Sequence, residues 1–222
     1  MSVWYDPLRP DIVTPAELYA RETNTNWYHL GDAKYQLLPK QYQFLKAEEP
    51  FLGYIGGYGS GKTRIGSIKA TWLSMHPNNR GLVGMEASTD LDETAQRDLL
   101  DFLQEAQLIK KAPTTQSRTV TVYCVDPATG KNLGYDSEIA FAHLDDPKHV
   151  RGRHLGWFWI DEGSKVKREA WQNLIGRLRL PTFGKRYKAY VTGNPEGRNW
   201  IYDFFFNQEI IEGMICGKPD CK

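Results

Sequence analysis

The stretch Phe51–Gly66, FLGYIGGYGSGKTRIG, constrains the fold more than any other part of the chain. An apolar run that reads as a strand leads into a glycine-rich turn. There Gly56, Gly61, Lys62 and Thr63 keep the spacing glycine, four residues, glycine, lysine, threonine. The spacing has a mechanism. Without side-chain bulk, the backbone N–H groups from Gly56 through Gly57, Tyr58, Gly59 and Ser60 to Gly61 can wrap a polyphosphate, while the following helix points its positive end at the same charge. Lys62 then reaches the β- and γ-phosphates, and Thr63 offers its hydroxyl to Mg2+. Beyond the loop, Ile65, Ile68, Trp72 and Met75 recur at spacings of three and four, which predicts a helix with one apolar face.

The remaining chain alternates strand-like and helix-like segments. Residues 1–37 are punctuated by Pro, Asn and Asp and read as an irregular arm, with a short helix near Pro15 to Glu22. Residues 38–222 read as one α/β domain. RGLVGME (Arg80 to Glu86) predicts a strand, and Ala95, Leu99, Phe102, Leu103 and Ala106 predict an amphipathic helix. TVTVYCV and SEIAFAH alternate apolar with polar across the turn-rich DPATGKNLGYD, the pattern of an antiparallel pair. LGWFWI is continuously apolar, as a parallel strand covered on both faces should be. A helix near Lys167 to Leu178, the strand YKAYVTGN and a helix from about Asn199 complete a mainly parallel sheet flanked by helices, with ligands expected outside the carboxyl ends of its strands.

Composition excludes some functions and leaves others open. No run approaches the ~18 apolar residues of a membrane span, and the amino terminus lacks a basic start before an apolar stretch, so a soluble, intracellular protein without a membrane partner is expected. The net charge of +1 does not decide on nucleic acid, because a basic patch can be local. Lys165, Lys167 and Arg168, and again Lys185, Arg186 and Lys188, are either DNA contacts or solvated faces. Cys216 and Cys221 bracket GKPD like half of a zinc knuckle, but no second Cys or His pair lies nearby, and no metal is expected there.

Hydrolysis needs more than a phosphate cradle: a carboxylate near Mg2+ and another to orient water. WFWIDE places Asp161 and Glu162 at the carboxyl end of a buried strand, where the phosphate loop also opens. Adjacent strand residues face opposite ways, so one carboxylate can turn to the metal and the other to water. The alternative is that the acidic pair, or Ser164, caps the following helix. TGN (Thr192, Gly193, Asn194) ends the next strand and either senses a phosphate or simply makes a turn. A GTPase would need an Asn-Lys-x-Asp element, which is missing. Small-molecule kinases usually lack the second carboxylate, so the pair favours water as acceptor.

In this order, PKQYQFL, GGYGSGKT, HLDDPKHVRGRHLGWFWIDEGSKV, WQNLIGRLRL and VTGNP resemble the ATPase domain of the large terminase subunit of tailed bacteriophages, from about Pro39 to Trp200. The resemblance implies a P-loop NTPase of the additional-strand, catalytic-glutamate class. It would bind ATP and Mg2+, assemble as a homo-oligomeric ring on the portal protein with the small terminase subunit, and pump double-stranded DNA into the prohead in the host cytoplasm. Position by position, Gln41 looks like the adenine-side glutamine, Lys62 and Thr63 like the P-loop pair, and Asp161 like the Mg2+ aspartate. Glu162 is similar to the catalytic glutamate, and Thr192, Gly193 and Asn194 to the motif coupling hydrolysis to movement. Arg151 falls where the family places an arginine finger offered to a neighbouring subunit, with Arg153 as the near rival.

The chain departs from the family pattern at Tyr58 and Glu86, where many members carry arginine. It also ends at Lys222, where large terminases continue into a nuclease domain, so no nuclease activity is expected of it. Two other functions share parts of the pattern. A helicase-like DNA-dependent ATPase would need a second motor domain, and a nucleotide-binding regulatory module without turnover would not need Glu162.

Overall fold

The computed structural model describes residues 27–30, 33–86, 94–127, 129–146, 150, 152–180 and 187–206. A short hairpin, β1 (Trp27–Leu30) with β2 (Ala33–Gln36), precedes helix α1 (Pro39–Lys46). Next come β3 (Phe51–Ile55), α2 (Lys62–Ser74), β4 (Arg80–Met85), α3 (Ala95–Glu105), β5 (Ile109–Lys111), β6 (Thr119–Val125) and β7 (Asn132–His143). The chain then forms β8 (Trp157–Ile160), α4 (Arg168–Ile175), β9 (Lys188–Gly193) and a π-helical turn, Tyr202–Phe206.

Among the described residues, seven strands form one sheet in the order β3-β9-β8-β4-β7-β6-β5. The run from β3 to β7 is parallel, and β6 is antiparallel to both β7 and β5. The expected antiparallel pair and parallel strands are therefore present. Strand β9 lies between the strand that leads into the phosphate loop and the strand that leads into the carboxylates. That insertion is the additional strand of the expected fold class.

Burial follows from strand periodicity. In β8, Trp157 and Trp159 face the core beneath α1, α2 and α3, while Phe158 and Ile160 face the core built on α4 and the π-helical turn. All four are fully buried, which accounts for the unbroken apolar run. The strand begins two residues later than expected because Leu155 instead bridges to Leu178 as the chain leaves α4.

Three local differences from the expected pattern have physical causes. First, residues 27–36, read as irregular, contain the β1–β2 hairpin, and Leu30 and Leu37 join the main core. With only four residues per strand, the alternation is too short to stand out from the surrounding polar residues. Second, α2 is buried well beyond its apolar face: Ser67, Lys69, Thr71 and Ser74 are also buried. Thr71 and Ser74 donate to the carbonyls of Ser67 and Ala70 one turn back, so their hydroxyls enter the core already satisfied. Third, the last segment forms a π-helical turn, and its Phe204 and Phe205 close over Trp171 and the edge strand β3. The helix expected near Pro15 to Glu22 lies outside the described residues.

Lys69 joins the two helices that frame the loop. Its ammonium donates to the carbonyls of Phe44 (2.8 Å), Leu45 (3.1 Å) and Ala47 (3.3 Å) at the end of α1, of which the Phe44 carbonyl also accepts from the Ala47 N–H. Burial lowers its pKa to about 7, the Lys188 charge adds to that and Glu49 opposes it. A folded-state pKa below the unfolded one means the unfolded chain binds more protons between about pH 7 and about 10.4. Stability from this group is therefore present at high pH and lost as pH falls towards 7. In urea unfolding, the stability of the wild type relative to Lys69→Met should rise from pH 7 to pH 10 and stay flat below pH 7.

Candidate active site

The carboxyl ends of β3, β9 and β8 meet at one edge of the sheet, and register places their last residues together. Ile55 pairs with Gly193 and Ile160 with Val191, and the Gly56 N–H donates to the Gly193 carbonyl at 3.1 Å. Residues 56–61 then turn back into α2. Gly59 and Gly61 have φ of 73° and 71°, a left-handed backbone that glycine adopts without strain. The carbonyl of Gly57 accepts from the Ser60 hydroxyl and the Lys62 ammonium, both at 2.8 Å, so the lysine folds over its own loop. Burial lowers the Lys62 pKa, while the charges of Asp161 and Glu162 act in the opposite direction.

Behind the loop, Gln41 is buried and does two things. Its amide oxygen accepts from the Leu38 N–H at 2.9 Å, closing the first turn of α1. Its amide nitrogen reaches the carbonyls of Ser60 and Gly61 at 3.4 Å each. In front, Tyr58 is 91% exposed, with the Lys62 ammonium 5.9 Å from its ring.

The tightest part of the site is a hydrogen-bonded carboxylate. Asp161, 1% exposed, accepts from Thr63 Oγ1 at 2.9 Å on one oxygen and from Thr192 Oγ1 at 2.5 Å on the other. Burial pushes its carboxyl up, opposed by these two hydroxyls and the Glu162 backbone. Thr192 in turn accepts from the indole N–H of Trp159 at 2.7 Å.

Glu162 reaches its position differently from the sequence argument. Strand β8 ends at Ile160, and Glu162 has φ of 49°, in the left-handed region that costs an ordinary residue on the order of 1–2 kcal/mol. A sharp turn therefore separates the two carboxylates; the pleat of a strand does not. The turn is held by the Gly163 N–H on the Thr192 carbonyl (2.9 Å) and by the Trp200 indole on the carbonyls of Gly163 (3.1 Å) and Val166 (2.7 Å). The Glu162 carboxylate pairs with Lys165. Neither carboxylate caps the next helix, because α4 starts at Arg168 with Lys167 in the cap position, and Ser164 is not the cap either.

The structure thus brings together Lys62, Thr63, Asp161, Glu162, Thr192 and Gly193, with Gln41 behind them. Asn194 follows β9, and its side-chain oxygen is buried without a hydrogen-bond partner among the described residues. Arg151 lies outside the described residues, as do Cys216 and Cys221. Arg153 is half-buried and lines one cavity with Arg80, Gly81 and Glu138 and another with Phe141, Ala142 and His143. The sequence marks Trp159 only as part of a buried strand and Lys165 only as part of a basic cluster with Lys167 and Arg168. Trp159 shares a strand face with Asp161, two residues on, but its partner Thr192 emerges only once β9 is known to neighbour β8.

The donor set suits Mg2+. A threonine hydroxyl and a buried carboxylate are hard oxygen ligands, and such an ion takes its other ligands from phosphates and water. Among the described residues there is no cluster of three His, Cys, Asp or Glu side chains that could form an all-protein cage.

The family model of the phage terminase large subunit matches residues 50–219. This chain belongs to that family. It is 29% identical over 165 residues to the PBSX phage terminase large subunit of Bacillus subtilis (strain 168), covering 73% of this chain and 35% of that protein. The chain therefore spans about a third of that relative's length. Among solved structures it resembles the Thermus phage P74-26 large terminase ATPase domain, with a TM-score of 0.63 and 20% identity over 81% of this chain and 74% of that one. It also resembles the large terminase of the thermophilic bacteriophage D6E in complex with ADP, with a TM-score of 0.63 and 14% identity over 78% of this chain and 42% of that one. At these identities the likeness establishes a shared fold, that of a P-loop NTPase. Among the described residues no helix is long and apolar enough to cross a membrane.

The cradle can be tested by itself. Lys62→Ala should weaken ATP binding in calorimetry by about 2 to 3 kcal/mol, roughly 30- to 150-fold, as expected for losing a charged hydrogen bond to phosphate. Unchanged affinity in a folded variant would remove the loop as the phosphate site.

Proposed function

We propose that this chain is the ATP-hydrolysing motor domain of a phage packaging machine, converting ATP hydrolysis into translocation of double-stranded DNA into the prohead. The observation that carries the reading is the Thr63–Asp161–Thr192 bridge. It ties the helix behind the phosphate loop to the carboxylate strand and to the strand between them, within one buried hydrogen-bonded group.

In this reading the loop and Lys62 hold the β- and γ-phosphates, Thr63 and Asp161 hold Mg2+, and Gln41 stands on the adenine side. Bound there, Mg2+ would neutralise charge on the β- and γ-phosphate oxygens. Glu162 orients a water for attack on the γ-phosphorus and takes its proton as the bond to the ADP oxygen breaks. The left-handed turn at Glu162 supports this role, since strain of that kind persists where the surroundings hold it in place. Thr192, Gly193 and Asn194 pass the change to the rest of the motor. Arg151 completes the site of an adjacent subunit in a ring, with Arg153 as the alternative. The portal protein and the small terminase subunit are the proposed docking partners, at the prohead in the host cytoplasm. The proposed domain begins at about residue 38, and Leu30 and Leu37 of the preceding segment pack into its core.

Two experiments test this reading. Glu162→Gln should keep Mg-ATP affinity within a few fold while turnover falls at least about 100-fold, the scale of a lost general base. Loss of binding with turnover per bound nucleotide preserved would reverse the roles of Glu162 and Asp161. For the finger, Arg151→Ala and Glu162→Gln chains should each be inactive when assembled alone, yet regain activity when mixed, because some interfaces then pair an intact site with an intact arginine. Fingers contribute about 10^3 to 10^5 in rate, so the regained signal would be large. A mixture that stays silent while the assembled wild type turns over would exclude Arg151 and move the assignment to Arg153.

A further inference from the structure

We propose that Trp159 is a positioning residue for the metal site, its indole N–H fixing, through the Thr192 hydroxyl, the orientation of the Asp161 carboxylate and hence of Thr63. The proposal rests on the reading that Thr63 and Asp161 hold the Mg2+ of the nucleotide, and it adds a residue that does not touch metal or nucleotide.

The argument is one of proton direction. An indole nitrogen can only donate, and Trp159 Nε1 donates to Thr192 Oγ1 at 2.7 Å. A hydroxyl has one proton. With its oxygen occupied by the indole, Thr192 directs that proton to Asp161 Oδ1, 2.5 Å away. That bond fixes the plane of the carboxylate, so its other oxygen faces Thr63 Oγ1 at 2.9 Å. The Thr63 proton is thereby committed to Asp161, and its lone pairs are what the hydroxyl can present to a cation. Trp159, Asp161 and Thr192 are at most 1% exposed, so water does not compete for these bonds.

The indole itself cannot turn. It stacks on Tyr190 with centroids 5.8 Å apart and planes 13° from parallel, and the Tyr190 hydroxyl donates to the Gly66 carbonyl on α2 at 2.8 Å. The edge of the six-membered ring beside the N–H lies against Gly66 itself, where a Cβ would come within 2.3 Å of Cζ2. The contacts therefore form a closed circuit. It leaves α2 at Gly66, passes through Tyr190 and Trp159 to Thr192 and Asp161, and returns to α2 at Thr63. Partners beyond the direct ligands typically change metal affinity by about 10- to 100-fold when removed.

The test compares ADP binding with and without Mg2+ by calorimetry, a readout independent of turnover, in Trp159→Phe, Thr192→Val and the double variant. Trp159→Phe should raise the Mg2+ concentration for half-maximal enhancement of ADP binding about 10-fold, leaving metal-free ADP affinity within about twofold. Because Trp159 acts through Thr192, the double variant should need no more Mg2+ than Thr192→Val alone. Multiplied effects in the double variant, or a lowered Tm with an unchanged Mg2+ requirement, would reduce Trp159 to a packing residue and overturn the proposal. Asp161→Asn separates the two levels of inference. If it too leaves the Mg2+ requirement unchanged, the metal site is elsewhere and the proposal falls with it. A measurement independent of Trp159→Phe folding is the indole proton resonance of Trp159 in the otherwise native chain. It should be protected from exchange and should shift in Thr192→Val, and an unshifted resonance would also overturn the proposal.

Discussion

A carboxylate buried at the end of a β-strand sets the terms for everything around it. Taking a charge such as Asp161 out of water is costly unless its oxygens are hydrogen-bonded, and both are met by hydroxyls from different elements. Thr63 arrives on α2 and Thr192 on β9, so burying Asp161 requires the helix behind the loop and two neighbouring strands to be in register. The same register carries Gly56 to Gly193 and Gly163 to Thr192. A loop that could otherwise adopt many shapes is held at both ends by contacts that converge on one side chain.

Much of the fold was legible because its signals are local. Glycine spacing marks the phosphate loop, four consecutive apolar residues mark a strand covered on both faces, and alternation in TVTVYCV marks a strand with one buried face. What could not be read depends on contacts between segments far apart in the chain. The polar residues buried on α2 look like a solvent face until Lys69 is seen to cap α1 and the Ser74 hydroxyl to bond back to the Ala70 carbonyl. Thr192 reads as part of a turn until β9 is placed beside β8. Glu162 stands out in the sequence by type and neighbour as a candidate, but its left-handed backbone has no sequence marker, since φ above zero is usually marked by glycine or asparagine.

The loop is also supported from behind by polar contacts. Gln41 touches the Ser60 and Gly61 carbonyls, and the helix that carries it ends on the Lys69 ammonium. The Gln41 side chain and the backbone of the glycine loop are thus parts of one frame. Gly61 is where the frame closes most tightly, since a Cβ there would come within 2.5 Å of the Gln41 amide. A longer side chain at residue 61 would move both the cradle and the glutamine.

Strand β3 lies at the edge of the sheet, with β9 as its one hydrogen-bonded neighbour among the described strands, and β9 joins it to β8. Within the sheet, the two halves of the site are therefore connected in series through a single strand. A slip of β9 by one residue, about 3.3 Å, would carry Gly193 away from Gly56 and Thr192 away from Asp161 in the same movement. The strand behaves as a mechanical AND gate: sliding it cannot release the loop while leaving the carboxylate latched, or the reverse.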